Sequence, residues 1–140
     1  MRVYFDSSAL AKKYIEEPGM DEVKDKCGQA EEVLVSGICL PEIVSAFCRL
    51  RREGRMPEAI YRRLRDELAM DLTQATVIDP GFEVLAEAVA CLEKTALRTL
   101  DAIHAASARH AQCDLFVSAD KRQCEFVRSL GMKAEWVGRS

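Results

Sequence analysis

Val3-Tyr4-Phe5-Asp6-Ser7-Ser8-Ala9-Leu10 decides the fold, because a short apolar run ends on an acid and passes straight into a helix-forming stretch. β-branched and aromatic residues packed so tightly read as a buried strand over residues 2–6. Ser7 to Glu17 then reads as a helix, stopped by Pro18-Gly19. The same grammar returns near the other end. Leu115-Phe116-Val117-Ser118-Ala119-Asp120 places a strand, Leu115 to Ser118, before a helix that Asp120 caps and that ends near Gly131. With Gln123 three residues on, Asp120 resembles one half of a capping box.

Between these two stretches the pattern alternates. A polar helix covers residues 20–31, and Val33 to Ser36 form a strand. Pro41 suits the first position of a helix ending near Gly54. Met56-Pro57 opens another, with Ile60, Leu64, Leu68 and Leu72 every four residues. Thr76 to Asp79 read as a strand broken by Pro80-Gly81, and Phe82, Leu85, Val89 and Leu92 make an apolar stripe on the next helix. Thr99 is placed to N-cap a helix running to about Gln112, and Ala134 to Val137 form a last strand. Strands alternating with helices predict an α/β fold with a mainly parallel central sheet.

A chain of 140 residues fits one domain, residues 1–140, with a sizeable core. No apolar run approaches a membrane span, and the chain starts on a strand without a leader-like stretch, so a cytoplasmic location is expected. A net charge of −3 argues against a protein that coats nucleic acid broadly, but not against a nuclease whose acids hold a cation. The six cysteines form no C-x-x-C pair and no zinc-like spacing with histidine, so they read as reduced thiols. No phosphate-binding G-x-x-x-x-G-K-[ST] loop is present.

Four acids carry the chemistry: Asp6, Glu42, Asp101 and Asp120. Each has a structural reading as a helix cap or a complement to a helix dipole. Together they point elsewhere. Parallel sheets bind ligands at the carboxyl ends of their strands; Asp6 and Asp120 sit there, and Glu42 follows the second strand closely. Spacing alone does not bring Asp101 to them. Two unit charges about 4 Å apart interact by roughly 4 kcal/mol at an effective dielectric near 20. Clustered carboxylates therefore call for a cation, and an oxygen-only donor set suits Mg²⁺, with Mn²⁺ as a substitute.

These residues resemble the motifs of PIN-domain ribonucleases, in particular VapC-type toxins of toxin–antitoxin pairs. Tyr4-Phe5-Asp6-Ser7-Ser8-Ala9-Leu10 is similar to the first acid motif, Pro41-Glu42-Ile43 to the second, Leu100-Asp101-Ala102-Ile103-His104-Ala105-Ala106 to the third, and Val117-Ser118-Ala119-Asp120-Lys121-Arg122 to the fourth. The resemblance implies a three-layer α/β/α PIN-like domain in which all four acids converge as metal-binding, catalytic residues. It implies Mg²⁺-dependent hydrolysis of RNA phosphodiester bonds, with Asp6 and Asp101 as the principal ligands. It further implies a homodimer, a cognate antitoxin that blocks the site, and no membrane partner. Two alternatives keep the fold and change the role: a non-toxin PIN nuclease in RNA processing, and a non-catalytic PIN-fold binding domain.

Ser7 and Ser118 occupy positions that brace the site in the family, or else serve as helix-cap and turn residues. His104 lacks a partner at ligand spacing and reads first as an ordinary half-buried histidine, with a place lining the site as the alternative. Arg49, Arg51, Arg52, Arg55, Arg62, Arg63 and Arg65 form a basic stretch, read as a solvated face or as a guide for an RNA backbone or an acidic partner. Lys12, Lys13, Lys121 and Arg122 follow acids closely and are candidates to touch phosphate.

Overall fold

A computed structural model describes residues 1–139. It contains five strands, β1 (Arg2–Phe5), β2 (Glu32–Ser36), β3 (Thr76–Ile78), β4 (Leu115–Ser118) and β5 (Ala134–Trp136). All strand pairs are parallel, in the order β3-β2-β1-β4-β5. Parallel neighbours need long crossovers, and helices supply them: α1 (Ser7–Leu10), α2 (Met20–Gln29), α3 (Cys39–Arg52), α4 (Glu58–Gln74), α5 (Phe82–Lys94), α6 (Thr99–His110) and α7 (Lys121–Ser129).

The pleat sends alternate side chains to opposite faces, and the core divides accordingly. Val3, Phe5, Val35 and Val117 join one cluster with residues of α1 to α4, including Phe47, Leu64 and Leu68. Tyr4, Leu34 and Phe116 join the other with residues of α5, α6 and α7. The result is three layers, helices over both faces of one sheet. No helix among the described residues is long and apolar enough to cross a membrane.

The strand order positions the site. From β1 the chain steps outward to β2 and β3, then returns to the other side of β1 and steps outward through β4 to β5. Crossovers therefore diverge between β1 and β4, opening a crevice at the carboxyl ends of these two strands. Asp6 directly follows β1, and Asp120 lies two residues beyond β4.

Several boundaries differ from expectation. The first helix does not run to Glu17: α1 is four residues long, followed by a 3-10 turn over Ala11–Lys13. The chain is pulled from helical register there because the Tyr14 hydroxyl donates to Asp71 at 2.6 Å and Lys13 pairs with the same carboxylate. Helix α3 starts at Cys39, so Pro41 is its third residue; the first N–H groups of a helix have no intrahelical acceptor, so proline costs nothing there. Thr99 is the first residue of α6, not its cap; Arg98 holds the extended cap position without a side-chain bond.

Helix α5 divides its apolar residues between two faces. Its buried residues are Val84, Ala88 and Cys91. The stripe read from the sequence faces water, with Phe82 87%, Val89 55%, Leu85 42% and Leu92 37% exposed. The buried stripe is built from smaller residues, which let α5 lie close against α6, itself lined with Ala102, Ala105, Ala106 and Ala108.

Candidate active site

A cleft of about 350 Å³ opens at the predicted sheet edge, and Asp6, Glu42, Asp101 and Asp120 all line it, with Ser7, Ser8 and His104. The tertiary fold supplies what spacing could not, carrying Asp101 on the first turn of α6 to the ends of β1 and β4.

Each acid is held differently. Asp6 is 3% exposed and caps α1: its Oδ1 accepts from the Ser8 hydroxyl at 2.7 Å and the Ala9 amide at 3.0 Å. Burial raises its pKa, an effect only partly offset by the field of His104 and by hydrogen bonds from Ser118, Ser8 and Ala9. Asp120 caps α7, with Oδ1 accepting from the amides of Arg122 at 2.9 Å and Gln123 at 3.5 Å. The capping box is not closed, because the Gln123 side-chain amide donates to the Asp101 carbonyl at 2.8 Å instead and so ties α7 to α6.

Among the described residues the Asp101 carboxylate has no close hydrogen-bond donor, and it pairs loosely with Arg98, Nε to Oδ2 at 3.8 Å. Burial raises its pKa, Arg98 opposes this, and the neighbouring Asp6 and Asp120 push it further up. These three carboxylates therefore feel one another. Glu42 behaves in the opposite way. Burial opposes its ionisation, but hydrogen bonds from His104 and Ser7, with the fields of His104 and Arg98, hold its pKa below the usual value.

His104 corrects the sequence reading. It is 2% exposed and belongs to the site. Its Nε2 lies 2.7 Å from Glu42 Oε1 and 3.0 Å from Ser7 Oγ, and its Nδ1 lies 2.8 Å from the Tyr4 hydroxyl. Ser7 donates to the same Glu42 oxygen at 2.6 Å. Nε2–H donates to Glu42, and the Tyr4 hydroxyl closes the Nδ1 side of the ring. Tyr4 is itself clamped by stacking on Phe116 at 5.4 Å between centroids. The chain Tyr4, His104, Glu42 thus fixes one carboxylate from deep in the core. Ser7 braces Glu42, while Ser118 accepts from the Asp120 amide at 3.0 Å and contacts Ser8 at 3.3 Å.

Two further residues escaped the sequence reading. Ser8 joins Asp6 to the Ala119 amide, which donates to its hydroxyl at 3.0 Å, and so laces β1's exit to β4's exit. Arg98 lines the cleft with its side chain 87% exposed. Its position three residues before Asp101 was the available signal. Conversely, Lys12 pairs with Glu17 and Lys13 with Asp71, so both are engaged away from the acids. Part of the arginine stretch is also internally paired: Arg51 and Arg62 share Glu58, and Arg51 stacks over Tyr61 at 4.1 Å.

The donor set fits a hard divalent cation. It is all oxygen, and Glu42, Asp101 and Asp120 each keep a carboxylate oxygen without a hydrogen bond among the described residues. Asp6 and Asp101 have pKa values raised by burial that positive charge would restore. Among the described residues, however, no group of three or more His, Cys, Asp or Glu side chains is already drawn together to hold a metal. Sharing one cleft and standing apart within it are compatible, because mutual repulsion keeps uncompensated carboxylates from closing on one point.

Residues 3–128 match the family model of the PIN domain. Ribonuclease VapC47 of Mycobacterium tuberculosis (strain CDC 1551 / Oshkosh) is 32% identical over 136 residues, covering 92% of each chain. Among solved structures, Mycobacterium tuberculosis VapC20, described as a Sarcin-Ricin loop cleaving toxin, superposes with a TM-score of 0.68 at 17% identity, over 93% of this chain and 95% of that one. VapBC2 from Rickettsia felis, solved with a promoter DNA fragment, gives a TM-score of 0.69 at 12% identity, over 98% and 99% of the two chains. The two structural likenesses concern the fold.

Proposed function

The chain belongs to the PIN-domain family, and from that premise we propose that it is a metal-dependent endoribonuclease, the toxin of a toxin–antitoxin pair. The observation that carries this reading is the meeting of Asp6, Glu42, Asp101 and Asp120 in one cleft at the β1–β4 crevice. The ribonuclease name of the 32% identical relative supports the chemistry, and the VapBC neighbour supports an antitoxin partner.

Asp6 and Asp101 would hold the principal Mg²⁺, with Glu42 and Asp120 completing the set directly or through water. A divalent ion bound there supplies Lewis acidity, offsetting phosphate charge and lowering the pKa of water. The chain's own residues do the rest. Ser8 and the Ala9 amide fix the Asp6 carboxylate, and Ser7 and His104 fix Glu42, so neither must reorganise when substrate arrives. Glu42, kept ionised by its two donors, keeps its second oxygen, Oε2, without a hydrogen bond among the described residues.

The exposed stripe on α5 supports a homodimer. Phe82, Leu85, Val89 and Leu92 follow alternating three- and four-residue steps, the spacing of a helix-pairing seam. An antiparallel two-fold pairing centred on the position of Glu87 would match Phe82 with Leu92 and Leu85 with Val89.

The test is cleavage of RNA by purified protein with Mg²⁺, beside Asp6→Asn and Asp101→Asn. Full activity in either variant, or in excess EDTA, overturns the metal-nuclease reading. Growth arrest on induction, relieved by co-expressing a neighbouring small protein, tests the toxin role separately.

A further inference from the structure

A second cleft of about 340 Å³ adjoins the acidic one and shares Arg98, Asp101 and Asp120 with it. Its remaining wall comes from the loop before α6, Ala96 and Leu97, and from Arg122 and Gln123 at the start of α7. A substrate strand whose scissile phosphate sits among the four acids must lay its neighbouring phosphates on this rim, and the rim must tolerate their charge.

Most basic side chains that the fold brings near the β1–β4 edge are spent elsewhere. Lys12 pairs with Glu17, Lys13 with Asp71, and Lys121 lies over the Trp136 ring at 5.7 Å. Arg98 and Arg122 differ. The Arg98 side chain is 87% exposed, and among the described residues its only ionic contact is the loose 3.8 Å approach to Asp101. Arg122 has one long hydrogen bond, 3.5 Å to the Ala96 carbonyl, which holds its guanidinium on the same loop that carries Arg98. Both guanidinium groups therefore border one cleft with donors to spare, in a form suited to forked recognition of phosphate.

We propose that this second cleft, adjoining the acidic one, binds the backbone phosphate next to the scissile one in a single-stranded RNA substrate, with Arg98 and Arg122 as positioning residues. The inference rests on the ribonuclease reading for the substrate class and adds a subsite to it. Neither arginine acts on the reacting atoms; each contributes a charge-assisted contact that sets the register of the strand across Asp101 and Asp120.

The probe is a single-stranded RNA oligonucleotide that the wild-type protein cleaves, made also with a neutral methylphosphonate at each linkage beside the cut one. Arg98→Gln and Arg122→Gln should each raise KM about tenfold, the worth of one charge-assisted hydrogen bond, and lower kcat by much less. One methylphosphonate should cost the wild type a similar factor and cost the double variant almost nothing further. A fall in kcat at unchanged KM, or equal methylphosphonate penalties in wild type and double variant, overturns the subsite. Binding gives a readout independent of cleavage. In Asp6→Asn protein, log K against log salt should lose about 0.7 of slope in the double variant, the worth of one phosphate contact. An unchanged slope overturns the proposal even if the wild type cleaves, whereas absent cleavage with a reduced slope indicts the nuclease reading instead.

Discussion

The acidic cleft and the outer face of α5 are both incomplete, in opposite ways. In the cleft, charge is withdrawn from water with too little countercharge: Asp6 is 3% exposed and its pKa is raised by that burial. On α5, apolar surface is left in water: Phe82 is 87% exposed. The cleft is preorganised, since Ser8, Ala9, Ser7 and His104 hold its carboxylates before anything binds. Nothing holds Phe82; its worth, about 25 cal/mol per Å² covered, appears only when another surface arrives. The lesson is that exposure and burial alike mark function when they run against residue type.

The comparison can be broken at either region. The largest effect belongs to the cleft: Asp101→Asn should lower Mg²⁺-dependent RNA cleavage by more than about 100-fold, beyond the usual loss from changing a metal site's outer partners, with the circular dichroism spectrum unchanged. On α5, Phe82→Asp should abolish the proposed homodimer and leave a monomer on size exclusion. It should leave the monomer's own stability within about 0.5 kcal/mol, because a side chain so exposed contributes little to the fold. A protein that stays dimeric would place the interface elsewhere.

His104→Ala sits between the two regions in kind, since it acts through packing as well as charge. It should reduce cleavage about 10- to 100-fold by freeing Glu42, and destabilise the fold by about 1–3 kcal/mol by orphaning the buried Tyr4 hydroxyl. His104→Gln, which can still donate to Glu42, should recover part of the activity. The smallest effect concerns the metal-free protein. Burial and its acidic neighbours raise the Asp101 pKa, so ionised Asp101 costs stability, and that cost grows as pH rises above the ordinary carboxylate range. Near neutral pH, Asp101→Asn should raise the apo melting temperature by a few degrees, and Mg²⁺ should raise the wild-type value by more. No shift in either measurement would discard the electrostatic account of the cleft.

Much of the architecture was legible in the chain. Five strands and the main helices appear where periodicity and punctuation place them, and Asp6 and Asp120 lie at strand exits as read. The misses have identifiable causes. Helix α1 ends early because Tyr14 and Lys13 are drawn to Asp71, 57 and 58 positions away, contacts no local pattern reports. The exposure of the α5 stripe was not readable, because regular helical spacing does not say which face of a helix meets the core. No residue close along the chain pairs with His104; its partners Glu42, Ser7 and Tyr4 are on other elements.

What the sequence determined by itself is the alternation of strand and helix and the placing of acids at strand ends. Apolar period, proline and glycine punctuation and capping act between residues close along the chain. What only the tertiary structure decided is the site as an assembled object. Asp101 reaches the cleft because β4 returns beside β1, and Glu42 is held because His104, 62 residues later, meets it along with Ser7, while Tyr4, 100 residues before His104, anchors the ring from below. Those contacts depend on sheet order and layer packing, which the whole chain settles together.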